Sequence, residues 1–106
     1  MLILEEPIVG VHRKRIAELA ATYRLPTMFP GDRADAGGLI AYGTSIDEAA
    51  GRMSAYVDRI LKGAKPGDLA VEALTRHRLI INLKTAREIG VTVPPEVLKR
   101  ADQVIQ

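Results

Sequence analysis

The sequence predicts an α/β fold built on a mostly parallel sheet. Three observations carry this expectation. Short apolar runs closed by Gly or Pro alternate with stretches of helical periodicity. The segment from Gly37 to Asn82 reads as strand, capped helix, strand. No internal repeat or low-complexity tract interrupts the alternation, so residues 1–106 read as a single α/β unit.

Taken in order, Leu2 to Leu4 is an apolar run closed by Glu5, Glu6 and Pro7. It reads as a buried strand that ends in an acidic loop. A helix is expected from about Val9 to Tyr23, with Ile16, Leu19, Ala20 and Tyr23 at helical spacing. Pro26 stops it. Thr27 to Phe29 is a second strand, ended by Pro30 and Gly31. Gly31 to Gly38 holds three glycines with Asp32, Arg33 and Asp35, and reads as a loop or hinge. Leu39 to Tyr42 is a third strand, closed by Gly43.

The clearest helix follows. Ser45 and Glu48 have the spacing of a capping box, in which the hydroxyl accepts from a free N–H and the carboxylate reaches back. Ile46, Ala49, Ala50, Met53, Val57, Ile60 and Leu61 fall on one face. Gly63 suits the C-terminal cap. Lys65 to Asp68 is a turn, and Val71-Glu72 reads as a brief strand. Leu79 to Leu83 is a buried strand, and Thr85 to Ile89 a short helix closed by Gly90. A last helix starts at Pro94-Pro95, with Val97, Leu98, Ala101, Val104 and Ile105 as its apolar stripe.

Composition excludes several classes. With 15 basic and 13 acidic residues the net charge is +2, and Phe29 is the only Phe beside no Trp. That lacks the basic clustering and stacking aromatics of a nucleic-acid reader. Without cysteine there is no disulfide, thiolate metal site or cysteine nucleophile. Apolar runs are too short to span a membrane, and the start at Met1 shows no signal-peptide pattern. There is no phosphate loop, dinucleotide fingerprint or nucleophile elbow. His12 and His77 each stand beside arginine, which disfavours a bound cation and points to surface roles. No catalytic residue, metal ligand or cofactor is expected.

A few residues remain as binding candidates. The ends of strands face the ligand crevice in an α/β sheet. Glu5 or Glu6 could receive a ligand ammonium or hydroxyl there, or stand as solvated charges. Tyr42 ends a strand before Gly43, and could stack on a ligand or cap the core. Asp32, Arg33 and Asp35 read as polar binding groups or as solvated hinge charges. Met53 and Tyr56 read as packing residues, or as interface if their face is open.

From Ala36 the chain becomes specific. Ala36-Gly-Gly-Leu-Ile-Ala-Tyr-Gly43 leads into the capped helix, which ends in Tyr56-Val-Asp-Arg-Ile-Leu-Lys-Gly-Ala-Lys-Pro-Gly-Asp-Leu69. Leu79-Ile-Ile-Asn-Leu-Lys-Thr-Ala86, Val93-Pro-Pro95 and Arg100-Ala-Asp-Gln-Val-Ile105 follow. In order and spacing this run resembles the C-terminal portion of bacterial ABC-transporter substrate-binding proteins of the tryptophan/tyrosine type. His12 to Ala21 and Arg24-Leu-Pro26 resemble that family too.

The resemblance implies a partial type I periplasmic-binding-protein fold: an incomplete three-layer sandwich from a two-lobed protein that holds a small ligand in its cleft. It implies that 1–30 and 71–106 are second-lobe-like and 39–65 first-lobe-like, with hinge crossings at 31–38 and 66–70. It implies non-catalytic binding of a small amino acid or related metabolite, delivery to a membrane permease, and a periplasmic location. By the same resemblance Glu6-Pro7 matches an acidic-Pro pair at a strand end, and Tyr42-Gly43 a Tyr-Gly at the hinge. His77-Arg78 departs from the apolar and acidic residues expected there. Incomplete sheets leave edges and faces to cover. A homo-oligomer is therefore expected, made by strand exchange or by burying Ile46, Met53, Val57 and Ile60 against a second copy. The other readings are a ligand-free, self-associating module and a small enzyme. A standalone product without a leader would stay in the cytoplasm.

Overall fold

The computed structural model describes residues 1–32 and 34–106, so Arg33 lies outside the described residues. Helix α1 (Pro7–Thr22) starts with Pro at its first position, where the missing N–H costs nothing. β1 (Met28–Pro30) and β2 (Ile40–Thr44) follow, then α2 (Ile46–Leu61) and a 3-10 turn at Pro66–Asp68. β3 (His77–Asn82) runs directly into α3 (Leu83–Ile89), and α4 (Pro95–Leu98) precedes β4 (Gln103–Ile105). The four strands form one sheet in the order β1-β2-β3-β4. β1–β2 and β3–β4 are parallel, and β2–β3 is antiparallel. The fold is therefore α/β with a mostly parallel sheet, as the alternation of elements predicts.

The antiparallel pair has an unusual connection. Such neighbours are ordinarily joined by a short hairpin. Here residues 45–76 stand between them, carrying α2 away from the sheet and back to the same end, where Thr44 pairs with His77. The stretch read as first-lobe-like thus divides. Its strand is hydrogen-bonded between β1 and β3, and its helix projects outward. The dimensions follow: extents of 56 × 31 × 19 Å and a radius of gyration of 17.2 Å, against about 13 Å for a compact chain of this size.

Burial sits around the sheet. Ile3, Ala17 and Phe29 form one cluster, with Val9 and Ile16 against it. Leu39, Ala86 and Ile89 form another that joins α3 to Ala21 of α1. Ala34, Ala41 and Ile80 form a third, flanked by Ile105. Ile81, at the sheet centre, has no solvent exposure. Many large apolar side chains stay outside these clusters, including Ile8, Val11 and Leu19 on α1 and the whole stripe of α2. Exposed apolar area on this scale marks surfaces built to be covered.

Four sequence expectations are corrected. Leu2 to Leu4 is not a buried strand: Leu2 makes a single bridge to Met28, Ile3 is buried, and Leu2 and Leu4 are exposed. With β1 only three residues long, there is too little edge to pair a full strand. In α1 the face turned inward carries Ala17 and Ala20, while Leu19 and Tyr23 are exposed. Small residues let the helix approach the sheet closely. Val71-Glu72 forms no strand, and Val71 is fully exposed, because this segment lies along α2 with no sheet edge to join.

The fourth correction is the largest. The last helix stops at Leu98, and Gln103–Ile105 is a strand beside β3. Asp102 makes the switch. Its N–H donates to Leu79 O at 2.8 Å, and its carboxylate accepts from Leu79 N at 2.8 Å. Val104 and Ile105 then pair with Ile81 and Asn82. Two adjacent apolar residues satisfy a strand period as well as a helical one. The capping box is also only half formed. Ser45 Oγ accepts from Glu48 N at 3.4 Å, but the Glu48 carboxylate pairs with Arg52 at 3.0 Å.

Candidate functional site

Pro7 begins α1 immediately after Glu6, so positions three, four and seven beyond Glu6 share its side of the helix. These are Val9, Gly10 and Arg13. They face the end of β1, where Phe29, Pro30, Gly31 and Asp32 emerge, and the start of α2 brings Ile46. Together with Glu5, Glu6 and Pro7 these residues enclose a cavity of about 290 Å³. That is close to the lower bound of small-ligand sites, roughly 300 Å³. It lies at the C-terminal end of a parallel strand, where α/β sheets ordinarily receive ligands.

The chemistry of the lining is mixed. Val9, Phe29, Pro30 and Ile46 are apolar, and Phe29 is firmly buried under α1. Glu5, Glu6 and Asp32 bring carboxylates, and Arg13 brings a guanidinium. Arg13 lies 4.0 Å from Asp35, and Asp32, with 9% side-chain exposure, lies 3.7 Å from Arg78. Glu5 and Glu6 are exposed and not enclosed by the fold. Among the described residues no group of three or more His, Cys, Asp or Glu is placed to hold a metal ion. No helix among them is long and apolar enough to cross a membrane.

Of the residues singled out from the sequence, Glu6 lines the cavity, and Ile46 joins it from α2. Tyr42 is not part of the lining. It is exposed and stacks on His77, with ring centroids 5.4 Å apart and an interplanar angle of 19°. The His77 ring places Nδ1 3.1 Å from Thr75 O. His12 is exposed on α1. Gly43 packs under the cavity floor: a Cβ there would sit 2.5 Å from Gly31 N. Met53 and Val57 are exposed along α2, away from the cavity. Arg33, weighed as a polar binding group, lies outside the described residues.

Sequence reasoning passed over Val9, Gly10, Arg13 and Phe29. Spacing from Glu6 could have found the first three once the helix start at Pro7 was placed. Phe29 required knowledge that β1 ends beneath α1.

Comparison with known proteins is consistent with this geometry. The family model described as ABC transporter substrate binding protein matches residues 3–105. No curated protein sequence matches the chain. Among solved structures, an ABC domain from Streptococcus pneumoniae in complex with L-Trp is 27% identical, with a TM-score of 0.85. The match covers 98% of this chain and 36% of that one. A conserved domain protein from Vibrio cholerae is 26% identical with a TM-score of 0.83, over 97% of this chain and 34% of that one. The ligand-free, open form of a substrate-binding protein with adhesive properties from Clostridium difficile shares the fold. It is 14% identical with a TM-score of 0.57, over 99% of this chain and 35% of that one. The chain thus spans about a third of the length of the solved structures it resembles. Because the family match runs through nearly every element described above, the chain belongs to the ABC transporter substrate-binding protein family.

Proposed function

We propose that this chain supplies one wall and the hinge of a binding cleft for a small amino acid or a related metabolite. It captures its ligand without chemical conversion and serves a membrane permease from the periplasm. The cavity beside α1 is the observation that supports this reading. A free amino acid carries an ammonium, a carboxylate and a side chain. Glu5 and Glu6 offer acceptors to the ammonium, and Arg13 offers a fork of donors to the carboxylate. Phe29, Pro30, Val9 and Ile46 offer an apolar surface to the side chain. The relative bound to L-Trp adds weight to an amino-acid ligand. The ligand would act by favouring the arrangement in which α2 and the strand ends approach one another. Glu5 and Glu6, both exposed, fit a binding role better than acid–base catalysis.

Titration of the chain with a panel of amino acids tests this. A ligand of the native state raises the melting temperature, by an amount equivalent to about 2.7 kcal/mol at a hundredfold excess over Kd. Glu6→Gln removes a charge-assisted contact and weakens binding about tenfold or more. Gly10→Leu fills open space, since nothing lies within 4 Å of a Cβ at that position, and abolishes binding. A cooperative melt that no amino acid shifts at millimolar concentration rejects the proposal.

A second reading is favoured by one feature of α2. Ile46, Met53, Val57 and Ile60 are between 40% and 64% exposed along one stripe. Burying that stripe against a second copy would give a homodimer. Light scattering at micromolar concentration checks it, and a monomer mass excludes it.

A further inference from the structure

Phe29 on β1 is buried with Ile3 and with Ala17 of α1, and it lines the cavity. It also borders Gly38. A Cβ at Gly38 would lie 2.3 Å from Phe29 Cδ2 and 2.6 Å from Phe29 Cε2. Carbon atoms rest about 3.5–4.0 Å apart, so the ring and a Cβ cannot both occupy their places. Gly38 is not among the glycines with positive φ. Its backbone therefore does not call for glycine; the close approach of the ring does.

What would give way is settled by what is pinned. Two buried hydroxyls hold the chain on either side of Gly38. Thr85 Oγ1 donates to Gly37 O at 2.9 Å, and Leu39 N donates to Thr27 Oγ1 at 3.1 Å. Thr27 and Thr85 are 3% and 5% exposed, so moving the loop would leave buried polar groups unpaired. Ile3 and Ala17 close part of the ring's surroundings, and the cavity is the open volume on its border. We propose that Gly38 is a positioning residue that sets the depth of the cavity through Phe29. The missing Cβ lets the ring settle back against the loop, and the space it vacates lengthens the apolar end of the cavity. Position 38 thereby decides how long an apolar group a ligand can carry. That last step rests on the binding function proposed above; the position of the ring does not.

Phe29 is the only phenylalanine, so ring-labelled 13C-phenylalanine reports this residue alone. Nuclear magnetic resonance of the whole chain without ligand then reads where the ring lies. In Gly38→Ala the ring signals are expected to shift, and Overhauser contacts to cavity-lining Pro30 and Ile46 to strengthen relative to those to Ile3 and Ala17. Ring signals and contacts unchanged in a folded Gly38→Ala overturn the proposal. If Gly38→Ala does not fold, Phe29→Leu is added to it. Recovery of a cooperative melt locates the clash at the ring and supports the proposal; a double variant that stays unfolded places the strain in the backbone and overturns it. Alanine, norvaline and norleucine measure the depth. Gly38→Ala weakens norleucine relative to alanine by about tenfold or more, and adding Phe29→Leu brings the ratio back. An equal loss for all three reports a general packing defect and overturns the assignment of depth. If none of the three binds the unmodified chain, the binding function fails, and the ring contacts still decide the position of Phe29.

Discussion

Helices α2 and α3 each follow a strand directly, and each is capped by the side chain before it. Ser45 accepts from Glu48 N at 3.4 Å, and Asn82 from Thr85 N at 3.1 Å. There the likeness ends. In its short length α3 buries Thr85, Ala86 and Ile89, and Thr85 Oγ1 also donates to Gly37 O at 2.9 Å. α2, more than twice as long, buries nothing. Capping and periodicity make a segment helical; they do not give it a partner. α3 folds back over the sheet and meets Leu39 and Ala21. α2 leaves the sheet end along a path that takes it away from every buried cluster. In a chain that spans about a third of its structural relatives, the covered helix and the bare one separate what this segment completes alone from what it leaves open.

Six substitutions, arranged as four tests, sharpen or break this contrast. The largest effect is expected from placing a charge in each helix. Ala86→Asp buries a carboxylate without a partner and lowers stability by about 3–5 kcal/mol. Ala50→Asp, on the exposed face of α2, changes it by less than about 0.5 kcal/mol. Urea melts of the two variants compare them directly, and equal losses would dissolve the distinction. Next, Ile81→Ala empties the centre of the sheet and costs about 2–4 kcal/mol. Chemical denaturation that shows less than 1 kcal/mol, on the order of a surface change, would mean the core lies elsewhere. Smaller again, Asn82→Ala removes a buried cap and costs about 1–2 kcal/mol, against about 0.5 kcal/mol for Ser45→Ala, whose contact is longer and wetter. Thermal melts rank the pair. The smallest change in stability belongs to Met53→Asp, within about 0.5 kcal/mol. It should instead reduce any self-association seen by light scattering, and a dimer that survives it does not use the α2 stripe.

Much of the fold was legible in the residues themselves. Ser45 and Gly90 mark helix ends by chemistry that acts within a turn, and Gly90 closes α3 in the left-handed region at φ +75°. The starts of α1 at Pro7 and of α3 after Asn82 lie two residues ahead of where periodicity puts them. The apolar runs at Phe29, Ala41 and Ile80–Ile81 named three strands correctly. Leu2 to Leu4, Val71-Glu72 and Gln103 to Ile105 misled, because runs of two or three apolar residues fit a helix, a strand or an exposed patch equally. Only a neighbouring edge decides among these. Of the candidate site, Glu6 was visible as an acidic strand end. Arg13 was not, since its direction follows only once the start of α1 at Pro7 is placed.

The sequence by itself determined the α/β class, most helix boundaries and the amphipathic stripe of α2, because caps, breakers and periodicity act over a few residues. It also determined the family, through the order and spacing of many weak signals. Tertiary structure alone decided that Gln103–Ile105 pairs with β3 and that Tyr42 stacks on His77 outside the cavity. It alone brought Gly43 and Arg78 against the Gly31–Asp32 loop. Each of these joins residues far apart in the chain, and such a contact depends on where the intervening backbone goes, which no local pattern encodes.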